Sequence, residues 1–212
     1  MVCICDYFIN INELAEILHN MKLNFSRIEL DKSKKNFEAM KSSKTLDEYE
    51  ENWRNFVTNL EKIWIKSERE CLEFKNKFQP WQGKFKNERR IDPLLKYVKN
   101  ARDVETHSIQ EIVEKKDGYT TVNPLDRNKP LEIKNLLIAD GKISFSESSQ
   151  PLIVKHHSAK IIAIPFRNQG VVYLPPEFHR GRRLLDKSNP IEIAQLAINY
   201  YENYLSEIES KF

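Results

Sequence analysis

The spacing of apolar residues changes once along this chain and changes back once, and that pattern constrains the fold more than any other feature. Up to about residue 116, apolar side chains recur every three or four positions, the period of a helix with one buried face. From Tyr119 they stand in short β-branched and aromatic runs broken by turn residues, and the helical period returns only after Ser188. The sequence therefore predicts an α+β protein: an N-terminal helical bundle, a small antiparallel sheet and a C-terminal helix. Its expected division is a helical domain over 1–118 and a β-rich domain with the C-terminal helix over 119–212.

Local signals place the elements. Leu14, Ile17, Leu18 and Met21 give a short helical pattern over 11–23, and 26–41 continues helically with dense Lys and Glu. Thr45-Leu46-Asp47-Glu48 is a capping box, followed by a helix to about Phe74 that buries Trp53, Phe56, Val57, Leu60, Ile63 and Trp64. Pro80-Trp81-Gln82-Gly83 is expected to interrupt. Asp92-Pro93 opens the next helix, with Asp as N-cap and Pro where its missing N–H is harmless. That helix is expected to reach about Lys115 and stop at Asp117-Gly118. Asp140-Gly141 joins two strand-like runs as a hairpin turn, 152–165 and 170–174 read as further strands, and Ser188-Asn189-Pro190 starts the last helix.

Composition excludes several classes. With 40% hydrophobic and 31% charged residues the chain reads as globular, and no apolar run approaches the ~18 residues of a membrane span. The first residues lack the basic start and small-residue cleavage site of a secretory signal, and three cysteines form no framework, so a reducing cytoplasm is the expected compartment. Cys3 and Cys5 would share one strand face, but no further Cys or His pair completes a zinc site, and no metal or cofactor is expected. A formal net charge of +3 permits an RNA partner without requiring one.

The chemistry-bearing residues lie in the helix opened by Asp92-Pro93. Arg102 and His107 pair a permanent cation with the side chain that titrates near neutral pH. On a helical wheel Leu94, Tyr97, Val98, Ala101, Val104, Ile109 and Ile112 form the buried arc, while Asp103 and His107 stack on the opposite face. Arg102 and His107 then stand about 140° apart, so they converge only if the helix distorts or a second copy supplies the complement. Asp103 is placed to hold His107, and Arg102 to neutralise Glu105. Such residues on a wet helix face are commonly only solvated, with pairs worth ~0.3–0.5 kcal/mol each.

The segment from Asp92 to His107 resembles the motif helix of HEPN-domain proteins, in which an Arg is followed by a polar residue and, after a short spacer, a His. Arg102, Asp103 and His107 occupy those places. Pro175-Pro176-Glu177-Phe178-His179-Arg180-Gly181 also resembles a Pro-Pro-x-x-His-x-Gly segment of one bacterial HEPN subgroup with a β-rich tail and final helix. The resemblance implies a HEPN-like bundle, a homodimer and a metal-independent endoribonuclease of toxin or antiphage-defence type, restrained by an antitoxin or regulatory protein. It assigns His107 to general acid–base work on the ribose 2′-hydroxyl and leaving 5′-oxygen, Arg102 to the phosphate's growing charge, and Asp103 to their orientation. Ile109 stands where adenylylated toxins of the family carry Tyr, so the resemblance does not extend to that restraint. The alternative within the family is a non-catalytic module that binds nucleotide or RNA, or only assembles complexes.

A second cluster, His179, Arg180, Arg182 and Arg183, concentrates cations in one turn before the last helix. Its functional reading is contact with an RNA backbone, and its plain one is a solvated loop or a fork tying two parts of the fold together. Tyr173, Phe178 and Phe145 are candidates to stack bases, although sheet aromatics usually serve the core. His156 and His157 alternate on a strand and make no metal pair.

Overall fold

The computed structural model describes residues 23–107, 110–139 and 142–212, with the side chains of 105–107 also outside that description. The expectations for Cys3, Cys5 and the helix over 11–22, and for Ser108, Ile109, Asp140 and Gly141, lie outside the described residues. Among those described, the chain is mixed helix and sheet. The helices are α1 (Asn24–Ser42), α2 (Leu46–Glu70), α3 (Lys75–Ile91), α4 (Pro93–His107) and α5 (Pro190–Lys211), with a 3-10 turn at Leu72–Phe74. The chain forms two compact units, one of residues up to Val113 together with Ala163–Phe212, the other Glu114–Ile162.

This division corrects the expected boundary. The C-terminal helix belongs with the helices, where α5 contacts α1, α2 and α4, and the β-rich unit is an insertion between two parts of the first unit. The reason lies in the α5 face: Ile193, Ala194, Ala197, Ile198, Tyr201, Tyr204, Leu205 and Ile208 are all buried at spacings of three and four. An apolar stripe of that length is covered by helices more completely than by a thin sheet.

Helix α2 supplies the centre of the first unit. Its stripe from Trp53 to Trp64 is buried throughout, each large side chain contributing ~1.5–3 kcal/mol by leaving water. Thr45 Oγ1 accepts the Glu48 N–H at 3.1 Å as the capping box requires, but Glu48 Oε2 reaches back to the N–H of Lys44, one residue earlier than expected. Pro80 does not interrupt: α3 runs through it. The cost of a proline inside a helix, ~3 kcal/mol, is offset by the aromatic cluster that continuation builds. Trp81 stacks against Tyr204, Phe85 meets it edge-on, and Phe78 and Trp81 meet Phe212.

Tyr204 also ties the helices by polar contacts. Its hydroxyl lies 2.9 Å from Ser67 Oγ and accepts from Gln82 Nε2 at 2.9 Å, all buried. Gln82 Oε1 is already buried without a partner. Tyr204→Phe is therefore expected to lower unfolding stability by about 2 kcal/mol through the stranded amide. Urea titration with an unchanged m-value checks this, and a loss below about 0.5 kcal/mol contradicts it.

Within the inserted unit, β2 (Tyr119–Pro124) pairs antiparallel with β7 (Leu152–His157) from Tyr119↔His157 to Pro124↔Leu152. The other pairs are β1 (Val113–Lys116) with β8 (Lys160–Ala163), β3 (Ile133–Lys134) with β6 (Glu147–Ser148), and β4 (Leu137–Ala139) with β5 (Lys142–Ser144). The β4–β5 register, Ala139↔Lys142, is that of the expected hairpin. Gly118 is required here, since a Cβ would lie 2.7 Å from the carbonyl oxygen of His157. Of this unit's described residues only Ile162 is buried, so the sheet carries almost no core of its own.

Back in the first unit, β9 (Phe166–Asn168) pairs with β10 (Val171–Tyr173), and β11 (Phe178–His179) with β12 (Arg182–Arg183). Asn189 caps α5 by accepting the Ile191 N–H at 3.0 Å, with Pro190 in the first turn as expected.

Candidate functional site

Helix α4 is the scaffold of the predicted motif. Pro93 pre-sets its first turn, and Asp92 Oδ1 accepts the Leu95 N–H at 3.0 Å as the expected cap. Leu94, Tyr97, Val98, Ala101 and Val104 are buried, as the wheel requires. The helix is described through His107 and the chain has left it by Gln110, short of the expected Lys115. Ile112 and Val113 explain the shortfall: both β-branched side chains are fully buried, Ile112 at a bend where its carbonyl accepts the Ile164 N–H at 3.2 Å, and Val113 as the first residue of β1.

Arg102 and Asp103 are neighbours in space as well as in sequence, with Nη1 donating to Asp103 Oδ1 at 2.9 Å, and each side chain is 29% exposed. The expectation that Asp103 serves His107 meets this competing partner. The His107 imidazole and the Glu105 carboxylate lie outside the described residues. Because α4 remains α-helical through His107, positions 102 and 107 keep their separation of about 140° around the axis.

The basic turn has a different character from the one expected. His179–Arg182 closes β11–β12 with Arg180 at φ 49° and Gly181 at φ 78°, two left-handed positions as in a type I′ turn. His179 Nδ1 lies 3.1 Å from Asp92 Oδ1, and the Arg180 N–H donates to Asp92 Oδ2 at 2.7 Å. One carboxylate thus caps α4 and clamps the turn to the helix start. Burial alone would raise the Asp92 carboxyl, but the His179 hydrogen bond and the Arg180 and Leu95 amides hold it below its ordinary value. His179 is accordingly a structural residue on its Nδ1 side. Arg180, Arg182 and Arg183 are exposed, and with His179, Leu184, Glu192 and Leu196 they line a cavity of about 480 Å³. Glu192 is engaged there by the Leu185 and Asp186 N–H groups at 2.7 and 2.8 Å.

A second cavity, of about 460 Å³, lies between α2, α3, α4 and β10, lined by Trp64, Lys86, Arg89, Arg90, Lys96, Lys99, Asn100 and Tyr173. Five of these eight are cations and none is a carboxylate. Sequence reading missed this cluster. Its signal was the recurrence of basic residues at 86, 89 and 90 and at 96 and 99, helical spacing on both sides of Asp92. Tyr173, a candidate base-stacking residue, stacks on Phe166 at 5.6 Å, whereas Phe145 belongs to the inserted unit. His156 and His157 meet Thr120 and Thr121 separately, at 2.8 and 3.4 Å, and no metal-binding group of His, Cys, Asp and Glu occurs among the described residues. No helix among them is long and apolar enough to cross a membrane.

Comparison of the chain with protein-family models, with curated proteins and with solved structures found no match.

Proposed function

We propose that the protein is a metal-independent endoribonuclease of HEPN type, acting as a homodimer in the cytoplasm under the restraint of an antitoxin or regulatory protein. The observation that carries the reading is the Arg102–Asp103 pair near the end of a rigidly capped helix that runs through His107. A carboxylate at 2.9 Å fixes the guanidinium while leaving both groups partly exposed, a suitable arrangement for a cation that must meet a phosphate. The separation of positions 102 and 107 around one helix is the reason for invoking two copies, so that Arg102 of one protomer completes the site of its partner.

In this reading the 2′-oxygen attacks phosphorus, the bond from phosphorus to the 5′-oxygen breaks, and a 2′,3′-cyclic phosphate and a 5′-hydroxyl result. His107 takes the 2′-hydroxyl proton and returns a proton to the leaving oxygen, while Arg102 offsets the charge that builds on the phosphate. The test is cleavage of bulk cellular RNA by purified protein in excess EDTA. Wild type is expected to leave cyclic phosphate ends, and His107→Ala to cut at least about a hundredfold more slowly. Equal cutting by both proteins, or cutting that EDTA stops, overturns the reading.

A further inference from the structure

From the cavity between α2, α3, α4 and β10 we infer a binding track for the phosphate backbone of single-stranded RNA, leading along α4 toward its last turn. The inference rests on the proposed function for its direction but not for its existence. Three observations carry it.

The first is charge. Lys86, Arg89, Arg90, Lys96 and Lys99 line one cavity that no carboxylate lines. Arg89 is committed to Glu61, Arg90 donates to Asn87 Oδ1 at 2.9 Å, and Lys86 lies 3.5 Å from Glu68. Lys96 and Lys99 are exposed and form no ion pair among the described residues. Adjacent lysines held on one wall without counter-charge repel each other, and a polyanion relieves that repulsion.

The second is placement. Lys96, Lys99, Asn100, Asp103 and His107 follow at helical spacing and occupy one face of α4. From Lys96 to His107 the helix rises ~16 Å, about five nucleotides of stacked single strand. The face of α4 that carries Lys96 and Lys99 is therefore the one that carries positions 103 and 107, with Arg102 off that face, whereas the turn of Arg180, Arg182 and Arg183 is clamped by Asp92 at the helix start.

The third is the wall. Tyr173, half-buried and stacked on Phe166, stands beside the lysines, and Asn100 is fixed by accepting from Asn168 Nδ2 at 2.9 Å. A positive groove with a held aromatic ring suits an unpaired strand, whose bases are free to reach the ring, better than a duplex, whose bases are turned inward.

The test is fluorescence anisotropy with a labelled 12-nucleotide 2′-O-methyl RNA, which lacks the hydroxyl needed for cleavage and so separates binding from cutting. The doubly substituted K96E/K99E protein is expected to bind at least about tenfold more weakly, with a salt slope reduced by ~1.4. Its thermal unfolding is expected to match wild type, since both side chains are exposed. R182E/R183E is expected to bind within about twofold of wild type. Undiminished binding by K96E/K99E, or loss confined to R182E/R183E, overturns the inference. So does competition by a nucleoside triphosphate as strong as by the unlabelled strand, or equal affinity for a 12-base-pair duplex, since either identifies a different ligand. Strand binding without cleavage by wild type removes the nuclease reading and leaves this one. Cleavage with no role for Lys96 and Lys99 does the reverse.

Discussion

Asp92→Ala is expected to lower unfolding stability by about 3–4 kcal/mol, the sum of a lost helix cap and two buried charge-assisted hydrogen bonds. The carboxylate, 7% exposed, accepts from Leu95 N–H, Arg180 N–H and His179 Nδ1. Alanine leaves all three donors unmatched. Asp92→Asn keeps a good capping oxygen and is expected to lose only about half as much. Guanidinium unfolding of the three proteins measures the series, and a loss below about 1 kcal/mol for alanine shows that the clamp is incidental.

The same residue sets an acid limit. A carboxyl held below its unfolded value contributes stability that is fully present above that value, ~3.9, and lost as pH falls through the folded one. Wild type is expected to lose this contribution only below about pH 4, and Asp92→Asn to lack that part of the acid dependence. A stability difference between the two that stays constant from pH 6 down to pH 2.5 contradicts the assignment.

What the sequence made legible followed the local rules. The Trp53–Trp64 stripe, the Thr45 cap and the helix starts at Asp92-Pro93 and Ser188-Asn189-Pro190 all act within a few residues, and the structure contains each of them. Pro80 misled because its local penalty is outweighed by ring contacts with Tyr204 and Phe212, more than 120 residues away. The end of α4 misled because an apolar Ile112 fits the buried arc of a helical wheel, yet it is buried just as fully at the bend that leads into β1. Domain assignment failed for a related reason: α5 follows the β segment in the chain but completes a helical core formed before it. The candidate site was half legible. Arg102 and Asp103 lie together, but periodicity along one helix could not reveal that Lys86 and Arg90 face Lys96 and Lys99 across a cavity, because the turn at Asp92 that brings α3 beside α4 carries no periodic signal.

Arg89→Ala is expected to cost about 3–5 kcal/mol, because it strands the Glu61 carboxylate, itself 14% exposed, and empties the space over Trp64. The guanidinium lies 4.1 Å from the Trp64 ring centroid, and its Nε is buried without a hydrogen-bond partner. A buried ion pair that is imperfectly satisfied gives little net stability, so exchanging both partners should be far milder than removing one. Arg89→Met with Glu61→Gln is expected to recover most of the loss, and urea unfolding of the two single variants and the double gives the coupling between the sites. Near-additive single losses would show that the pair is not the link between α2 and α3. This separates two kinds of cation in one cavity. Arg89 is held by Glu61 and Trp64, so its loss should weaken RNA binding only as far as it loosens the fold, whereas Lys96 and Lys99 can be reversed in charge without disturbing the helices beneath them. Arg89→Met/Glu61→Gln should therefore bind the 2′-O-methyl strand within about threefold of wild type, and a tenfold loss in a stably folded double variant would make Arg89 a phosphate ligand.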